Sequence, residues 1–208
     1  MTLTLAVTKA ITSLKEAQAK LHLSPTTNPT FFPEWQFPLP ELTPAEKKTL
    51  DQLKQRYLYY AADGSISEGT VNFIMISPLL EHLGLFDAPY KVRSEKYVQI
   101  QIQNEEEILE GRIDALVIKE QLWIILIESK HYGFSVLQGI PQALAYMQSD
   151  PEPSKPIFAL VTTGEDYIFL KTQDNHYAQS YKFTLLSDDA NNLYRVAQVM
   201  KRIVSSFT

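Results

Sequence analysis

The clearest pattern in the chain is a pair of apolar runs between Gly111 and Lys130, each of which contains or ends in charged residues. Residues 112–118 and 122–128 are rich in Ile, Val, Leu and Trp, so they predict two β-strands joined by a short polar loop. Asp114 lies inside the first run, and Glu128 and Lys130 end the second. Buried charges are costly unless they pair or hold a metal, so these three residues require a chemical explanation.

The hairpin register decides whether these charges meet. In the simplest hairpin, Asp114 pairs with Leu126 and is a diagonal neighbour of Glu128. Since side chains alternate along a strand, Asp114, Glu128 and Lys130 then project from one face of the sheet. A slip of one residue would move Asp114 to the other face. The predicted site therefore depends on this register.

Two carboxylates and an amine on one face predict metal-assisted chemistry. Mg²⁺ keeps several waters and binds through one or two carboxylates together with substrate phosphate. Such an ion can activate a water and stabilise charge on a scissile phosphate, and a nearby lysine can position the nucleophile or neutralise charge. Asp114 and Glu128 are thus candidate ligands for Mg²⁺, with Mn²⁺ as a substitute, in phosphodiester hydrolysis.

A helical segment after the hairpin carries polar residues at regular spacing. Gln138, Gln142 and Tyr146 lie four residues apart and form one stripe, with an apolar stripe beside it: Leu137, Ile140, Leu144 and Met147. The polar stripe can hydrogen-bond a phosphate or orient the lysine, and an ordinary polar helix face is the alternative. Pro141 indicates that the regular helix begins near residue 140.

An acidic residue also lies upstream of the strands. Residues 65–84 predict a helix that Pro78 kinks or restarts. Glu68 follows Ser65 by three residues, so it fits the glutamate of a capping box as well as a partner of the metal site.

Together these residues resemble the motifs of a known superfamily. Asp114, then Glu128-Ser129-Lys130, then Gln142-Ala-Leu-Ala-Tyr146 resembles the PD-(D/E)xK nucleases, and is most similar to the N-terminal endonuclease domain of type I restriction motor subunits. The resemblance covers roughly residues 65 to 170. In two respects the chain departs from the pattern: Ile113 stands where the name-giving proline would be, and no motor sequence follows.

The resemblance implies roles for these residues. Asp114, Glu128 and the Ser129 carbonyl would hold the metal, with Glu68 as an outer partner. Lys130 would position or activate water, and Gln142, Tyr146 and the less secure Gln138 would support the lysine and the substrate, which we expect to be DNA. Motor or methylase subunits are the implied partner proteins.

Strand patterns at 90–103, 111–118, 122–130 and 157–162, with helices before the first and the last, predict an α/β fold. Its restriction-endonuclease-like core has the order α-β-β-β-α-β, with a mixed central sheet covered by helices on both faces. Further predicted elements are a helix at 3–23, an extended Pro- and aromatic-rich segment at 24–44 pinned by Phe31, Phe32, Trp35 and Phe37, a helix from Thr43 to Asp63, strands at 167–170 and 181–186, and a helix at 188–206.

The length of 208 residues allows one domain. Within 1–208 we distinguish an N-terminal helical and Pro/aromatic-rich extension at 1–64, a nuclease-like core at 65–172, and a C-terminal edge strand and helix at 173–208.

Composition narrows the function classes. A net charge of −5 argues against a large basic surface for nucleic acid, although not against a metal-containing cleft. Four cations are close to the site in sequence, although a solvated surface of mixed charge is the favoured interpretation for each alone: Lys91, Arg93, Lys96 and Arg112. The absence of cysteine, of a signal sequence and of long apolar runs leads us to expect a cytoplasmic protein without a membrane segment. The sequence contains no glycine-rich motif that binds nucleotide phosphates. We therefore do not expect the chain to be an ATP-driven translocase by itself.

Three hypotheses follow from the sequence. The first is a Mg²⁺-dependent endonuclease. The second is a non-cleaving or partner-dependent nucleic-acid-binding module that keeps the nuclease fold. The third is a structural protein in which the acids and the lysine form a buried ion pair.

Overall fold

The computed structural model describes residues 3–102, 107–120, 122–130, 133, 135–150, 154–186 and 191–207. Its strands are β1 (Leu3–Ala6), β2 (Ser24–Pro25), β3 (Tyr90–Gln101), β4 (Glu107–Lys119), β5 (Leu122–Ser129), β6 (Ile157–Thr162), β7 (Asp166–Gln173), β8 (His176–Gln179) and β9 (Phe183–Thr184). Its helices are α1 (Val7–Ala10), α2 (Leu14–Lys20), α3 (Pro44–Ala61), α4 (Glu68–Val71), α5 (Ser77–His82), α6 (Ile140–Met147) and α7 (Leu193–Ser205). A π-helical turn (Asn72–Ile76) joins α4 to α5, and 3₁₀ turns occur at Pro33–Trp35 and Val136–Gly139.

The strands form one mixed sheet in the order β1-β4-β5-β6-β7-β8-β2, with β3 also paired to β4 and β9 to β7. The β4–β5 and β6–β7 pairs are antiparallel, whereas β5 and β6 run parallel with α6 as their crossover. The prediction of an α/β chain with a mixed sheet is therefore confirmed. Elements around the hairpin follow one another as α4–α5, β3, β4, β5, α6 and β6.

Alternating side chains of the central strands fill two cores, one on each face of the sheet. Phe158 and Leu160 of β6 belong to a core that also contains buried residues of α3, α5 and α7. Ile157 and Val161 of the same strand belong to a second core, which contains buried residues of α2 and α6. Both faces are thus covered by helices, as expected for a sheet whose central strands are apolar throughout.

The N-terminal residues do not form the single helix predicted for 3–23. Leu3–Ala6 instead pairs in parallel with β4, and two short helices follow. The second begins at a capping box in which Glu16 N–H donates to the Ser13 hydroxyl and Ser13 N–H donates to the Glu16 carboxylate. This capping box starts a new helix. The helical spacing of the apolar residues led us to predict one continuous helix instead.

The predicted cap of α3 is confirmed. Thr43 is the N-cap, Pro44 occupies the first turn, and Glu46 completes the capping box with Thr43. Local sequence signals were sufficient here because every interaction lies within four residues.

The helix predicted at 65–84 is divided into α4, the π-helical turn and α5, which restarts at Ser77-Pro78. Ser67, and not Ser65, is the N-cap of α4, and it accepts a hydrogen bond from the Thr70 N–H. Glu68 therefore occupies the first helical position. Its interpretation as a capping-box glutamate is wrong, because that role requires the third position.

The aromatic segment is pinned at three of its four predicted positions. Phe32 is buried, and Phe31 and Trp35 pack against the first core. Phe37 is 66% exposed, and the Arg195 guanidinium lies 5.3 Å from its ring centroid. Phe37 is therefore not packed into the core as the other three are, and its described contact is with α7 through Arg195.

The C-terminal part contains one strand that we did not predict. Asp174 and Asn175 both have positive φ and form the two-residue turn between β7 and β8. Asp and Asn adopt the positive φ angles that two-residue hairpin turns require. The Asp174-Asn175 dipeptide could therefore have predicted this hairpin. The predicted strands at 167–170 and 181–186 occur as Asp166–Gln173 and Phe183–Thr184.

The last helix, α7, buries the predicted face of Leu193, Val196, Val199, Met200 and Ile203. Positions 188–190 of its predicted start, and residue 103 of the predicted strand at 90–103, lie outside the described residues. None of the described helices is both long and apolar enough to cross a bilayer.

Candidate active site

An irregularity in the β4–β5 hairpin sets the position of the acids. The predicted pairing of Asp114 with Leu126 is wrong, because Leu126 pairs with Leu116. At the loop end Lys119 pairs with Leu122, but the register shifts between Val117 and Ile118 and skips residue 124. A β-bulge of this kind places two residues of one strand opposite one of the other.

The shift brings the two acids level with each other. The ladder ends with Ala115 paired to Ile127, so the next positions outward are Asp114 and Glu128. Had the loop-end register continued unchanged, Asp114 would face Ile127, and Glu128 would belong to the opposite face. The acids are therefore direct rather than diagonal neighbours.

Asp114 is held by the residue that follows Glu128. The Ser129 backbone N–H and its hydroxyl both donate to Asp114 Oδ2, at 2.7 and 2.6 Å. On the other side of β4, the position facing Asp114 is Glu95, which adopts a φ of 51°. Charge-assisted bonds of this length fix the carboxylate, so Asp114 is oriented before any ligand binds.

Glu128 is the most deeply buried acid of the site, with 1% of its surface exposed. Lys130 Nζ donates to its Oε1 at 2.5 Å, whereas Oε2 has no hydrogen-bond partner in the described part of the chain. Burial, followed by the charge of Asp114, raises the pKa of Glu128 to about 8, and Lys130 opposes this shift. Ionisation of this carboxyl group is consequently favoured by a neighbouring cation and opposed by burial.

Lys130 connects two elements of the site. Besides its bond to Glu128, its Nζ lies 4.0 Å from Oε1 of Glu68 at the start of α4. The Glu68 side chain is 45% exposed, while that of Lys130 is 14% exposed. The structure thus brings all four predicted catalytic residues to one end of the sheet.

The predicted polar stripe is only partly continuous. Gln142 Nε2 donates to the Tyr146 hydroxyl at 2.9 Å within α6. Burial, then the charge of Glu128, raises the pKa of Tyr146 to about 12. Gln138 instead lies exposed in the 3₁₀ turn that precedes α6, and Leu137 is 54% exposed, so the predicted stripes do not extend across Pro141.

No protein-family model matches the sequence, and no curated protein matches it. Among solved structures, the chain is similar to the fragment of "a putative HsdR subunit of a type I restriction enzyme" from Vibrio vulnificus YJ016, at 17% identity and a TM-score of 0.42. The match covers 65% of this chain and 26% of that one. This chain therefore spans about a quarter of the length of that structure.

Two glycines support the site, although sequence reasoning missed both. A Cβ added at Gly111 in β4 would lie 2.6 Å from the Tyr146 hydroxyl, and one at Gly139 would lie 2.6 Å from Val161 and 3.5 Å from the Lys130 stem. A glycine within a strand often marks close approach of another group. Gly111 lay only at the start of the predicted strand, and it is the observed extent of β4 from Glu107 that places it inside a strand.

The donor set can be tested against the metal that the sequence predicts. In the described ranges, no three Asp, Glu, His or Cys side chains form a ready ligand cluster. Asp114 and Glu128 nevertheless supply two carboxylates, and no described residue hydrogen-bonds the buried Oε2 of Glu128. Because Mg²⁺ binds through one or two carboxylates and retains waters, the pair fits such an ion.

Proposed function

We propose that this chain is a divalent-metal-dependent endonuclease of the PD-(D/E)xK type, with a restriction-endonuclease-like core and DNA as its substrate. The observation that carries the proposal is the buried carboxyl of Glu128, which lies level with Asp114 and bonded to Lys130 at the end of β5. Burying an acid is costly unless it is paired or holds a metal, and Glu128 lies beside a second acid with its Oε2 unpartnered among the described residues.

Asp114, Glu128 and the Ser129 carbonyl would hold Mg²⁺ or Mn²⁺. Glu68 would be an outer partner of the metal site. When bound, the cation supplies charge stabilisation at the scissile phosphate and favours ionised Glu128. The hydrogen bonds from Ser129 keep Asp114 in place.

Lys130 is the residue that would position or activate the attacking water. Its ammonium group is anchored by Glu128 and lies near Glu68, so it can donate to the attacking water or to a phosphate oxygen. Tyr146 stays neutral at ordinary pH because its pKa is about 12. It can therefore act as a hydrogen-bond donor, with Gln142 fixing its hydroxyl.

The test is cleavage of supercoiled plasmid and of single strands with Mg²⁺ or Mn²⁺. We expect Asp114→Asn and Lys130→Met each to lower the cleavage rate by about 10²-fold or more. Lys182→Met is the matched control, because Lys182 is a half-exposed lysine that pairs with an acid, Asp166 of β7, as Lys130 does with Glu128. Nicking by Asp114→Asn at the natural rate would exclude the proposed site.

A second candidate is a nucleic-acid-binding module that does not cleave by itself. It is favoured by the partners that both acids already have, Ser129 for Asp114 and Lys130 for Glu128. Such a module would depend on motor or methylase subunits. Binding of nucleic acid without cleavage would support it.

Metal binding separates both candidates from a purely structural ion pair. If the site holds an ion, Mg²⁺ or Mn²⁺ raises the melting temperature of the natural protein but not of Asp114→Asn/Glu128→Gln. Equal responses of the two proteins would leave only the structural role.

A further inference from the structure

A cleft opens directly beside Asp114. It has a volume of about 460 Å³ and lies between the π-helical turn with α5 on one side and β3 with β4 on the other. This volume is within the range of about 300–1,000 Å³ that is usual for small-ligand pockets. Asp114 and Ala115 belong to its wall, so a molecule in the cleft lies next to the proposed metal ligand.

The lining of the cleft excludes an anion as its occupant. Glu95 and Asp114 both contribute to the wall, and no Lys, Arg or His is among the lining residues in the described part of the chain. Apolar side chains form much of the remaining surface: Ile76, Leu80, Phe86 and Val92. A phosphate would be repelled here, whereas a neutral group with flat apolar faces would fit.

One residue of the cleft wall carries a polar atom without a described partner. Asn72, in the π-helical turn, lines the cleft, and its Oδ1 is buried without a hydrogen-bond partner among the described residues. A buried acceptor left unsatisfied is costly. An amide side chain can bind the donor and acceptor edge of a nucleobase, and Asn72 contributes a residue of that type to the wall.

We infer that this cleft accepts one unpaired nucleobase of the strand whose phosphate the cation proposed at Asp114 and Glu128 would hold. The inference rests on the proposed nuclease function, because that function places a phosphate beside the cleft. Phe86, 48% exposed, offers an aromatic face against which the base can stack. A base inside a duplex cannot enter, so the substrate is a single strand or a duplex from which one base is extruded.

The experiment uses single-stranded DNA with one 2-aminopurine and a matched strand with an abasic position instead. Binding is measured with full-length protein carrying Lys130→Met, so that bound strands remain intact. We expect the base-containing strand to bind about tenfold more tightly and to change its 2-aminopurine fluorescence on binding. The same sequence as RNA shows whether the sugar matters.

Two variants then test the cleft itself. Val92→Phe fills it, and Asn72→Leu removes the amide at similar volume. Both should reduce the affinity ratio between base-containing and abasic strands to about one. Gln52→Leu, at an exposed position of α3, is the matched control and should leave the affinity ratio unchanged. Equal affinity for the two strands, or an unchanged ratio in Val92→Phe, would overturn the inference.

Failure of the cleft and failure of the nuclease give different results. If the cleft is wrong and the nuclease correct, proteins with Lys130 intact cleave abasic and normal strands alike, and Val92→Phe cleaves at the natural rate. If the nuclease is wrong, no variant cleaves with metal. The affinity ratio and its loss in Val92→Phe still report on the cleft.

Discussion

At the scale of single residues, Glu128 combines full burial with a titratable group. Its neighbours act in opposite directions, since Asp114 raises its pKa and Lys130 lowers it, and burial dominates both. A buried acid whose pKa is shifted this far is typical of a functional site. The metal-free protein should reveal this as a dependence of stability on pH.

The pKa of Glu128 rises from 4.5 to about 8 on folding, so the folded protein binds the additional proton between these values. The free energy of unfolding of the metal-free protein should therefore fall as pH rises from 4.5 to about 8, on the order of a few kcal/mol. Glu128→Gln should remove this contribution and give a flatter profile. Urea denaturation across that pH range in the presence of a chelator measures the difference.

Asp114→Asn is the control for this titration. It removes the charge that contributes most to the shift after burial, so the decline in stability should end at a lower pH. If natural protein and Glu128→Gln show equal slopes, Glu128 does not titrate as described.

The same residues show what the sequence could reveal about the site. Asp114, Glu128 and Lys130 were identifiable because charges in apolar strands are unusual, whatever the register. The contact of Ser129 with Asp114 was not, because it depends on how β4 and β5 meet beyond the last paired residues. Glu68 remained ambiguous until its cap was visible, since its spacing from Ser65 fits a capping box, whereas the observed N-cap is Ser67.

At the scale of secondary-structure elements, the site depends on close packing between β4 and α6. Gly111→Ala would place a Cβ 2.6 Å from the ring and hydroxyl of Tyr146. Because Tyr146 is 2% exposed and cannot move freely, we expect a loss of about 1–3 kcal/mol in the free energy of unfolding. Chemical denaturation provides the measurement.

Gly69→Ala in α4 is the matched control for that loss. Nothing lies within 4 Å of its added Cβ, so alanine should be neutral or stabilising by about 0.5–1 kcal/mol in a helix. Equal stability of the two alanine variants would show that β4 and α6 are not in close contact at Gly111.

Elements were predictable where their signals are local. The α3 cap and the restart at Pro78 are set within one helical turn, and both were found from sequence. The first strand was missed because β1 exists only through its pairing with β4, about a hundred residues away. A four-residue edge strand has too little pattern of its own to outweigh a helical spacing of apolar residues.

At the scale of the whole molecule, one buried ion pair fastens the aromatic segment to the sheet. Lys171 of β7 bonds to Glu34 at 2.8 Å, with side-chain exposures of 8% and 12%. Its Nζ also lies 5.6 and 5.3 Å from the ring centroids of Phe31 and Phe158. The segment between α2 and α3 is thus joined to the centre of the fold.

Removing one member of this pair leaves a buried charge alone. We expect Glu34→Ala to cost about 3–5 kcal/mol of the free energy of unfolding, and Glu34→Leu/Lys171→Met to recover most of that loss. Lys182→Ala, from the more exposed pair with Asp166, should cost only about 0–1 kcal/mol. A double-mutant cycle in urea measures the coupling. A small loss in Glu34→Ala would show that the pair is solvated.

The bulge in the β4–β5 hairpin has one more consequence. It couples the length of a surface loop to the chemistry at the far end of two strands. A one-residue shift of this register, caused by an insertion or deletion near the tip, would put Ile127 or Ser129 in place of Glu128 at the position facing Asp114. Engineers of this scaffold should therefore graft the hairpin as one unit, with its misfit residue included.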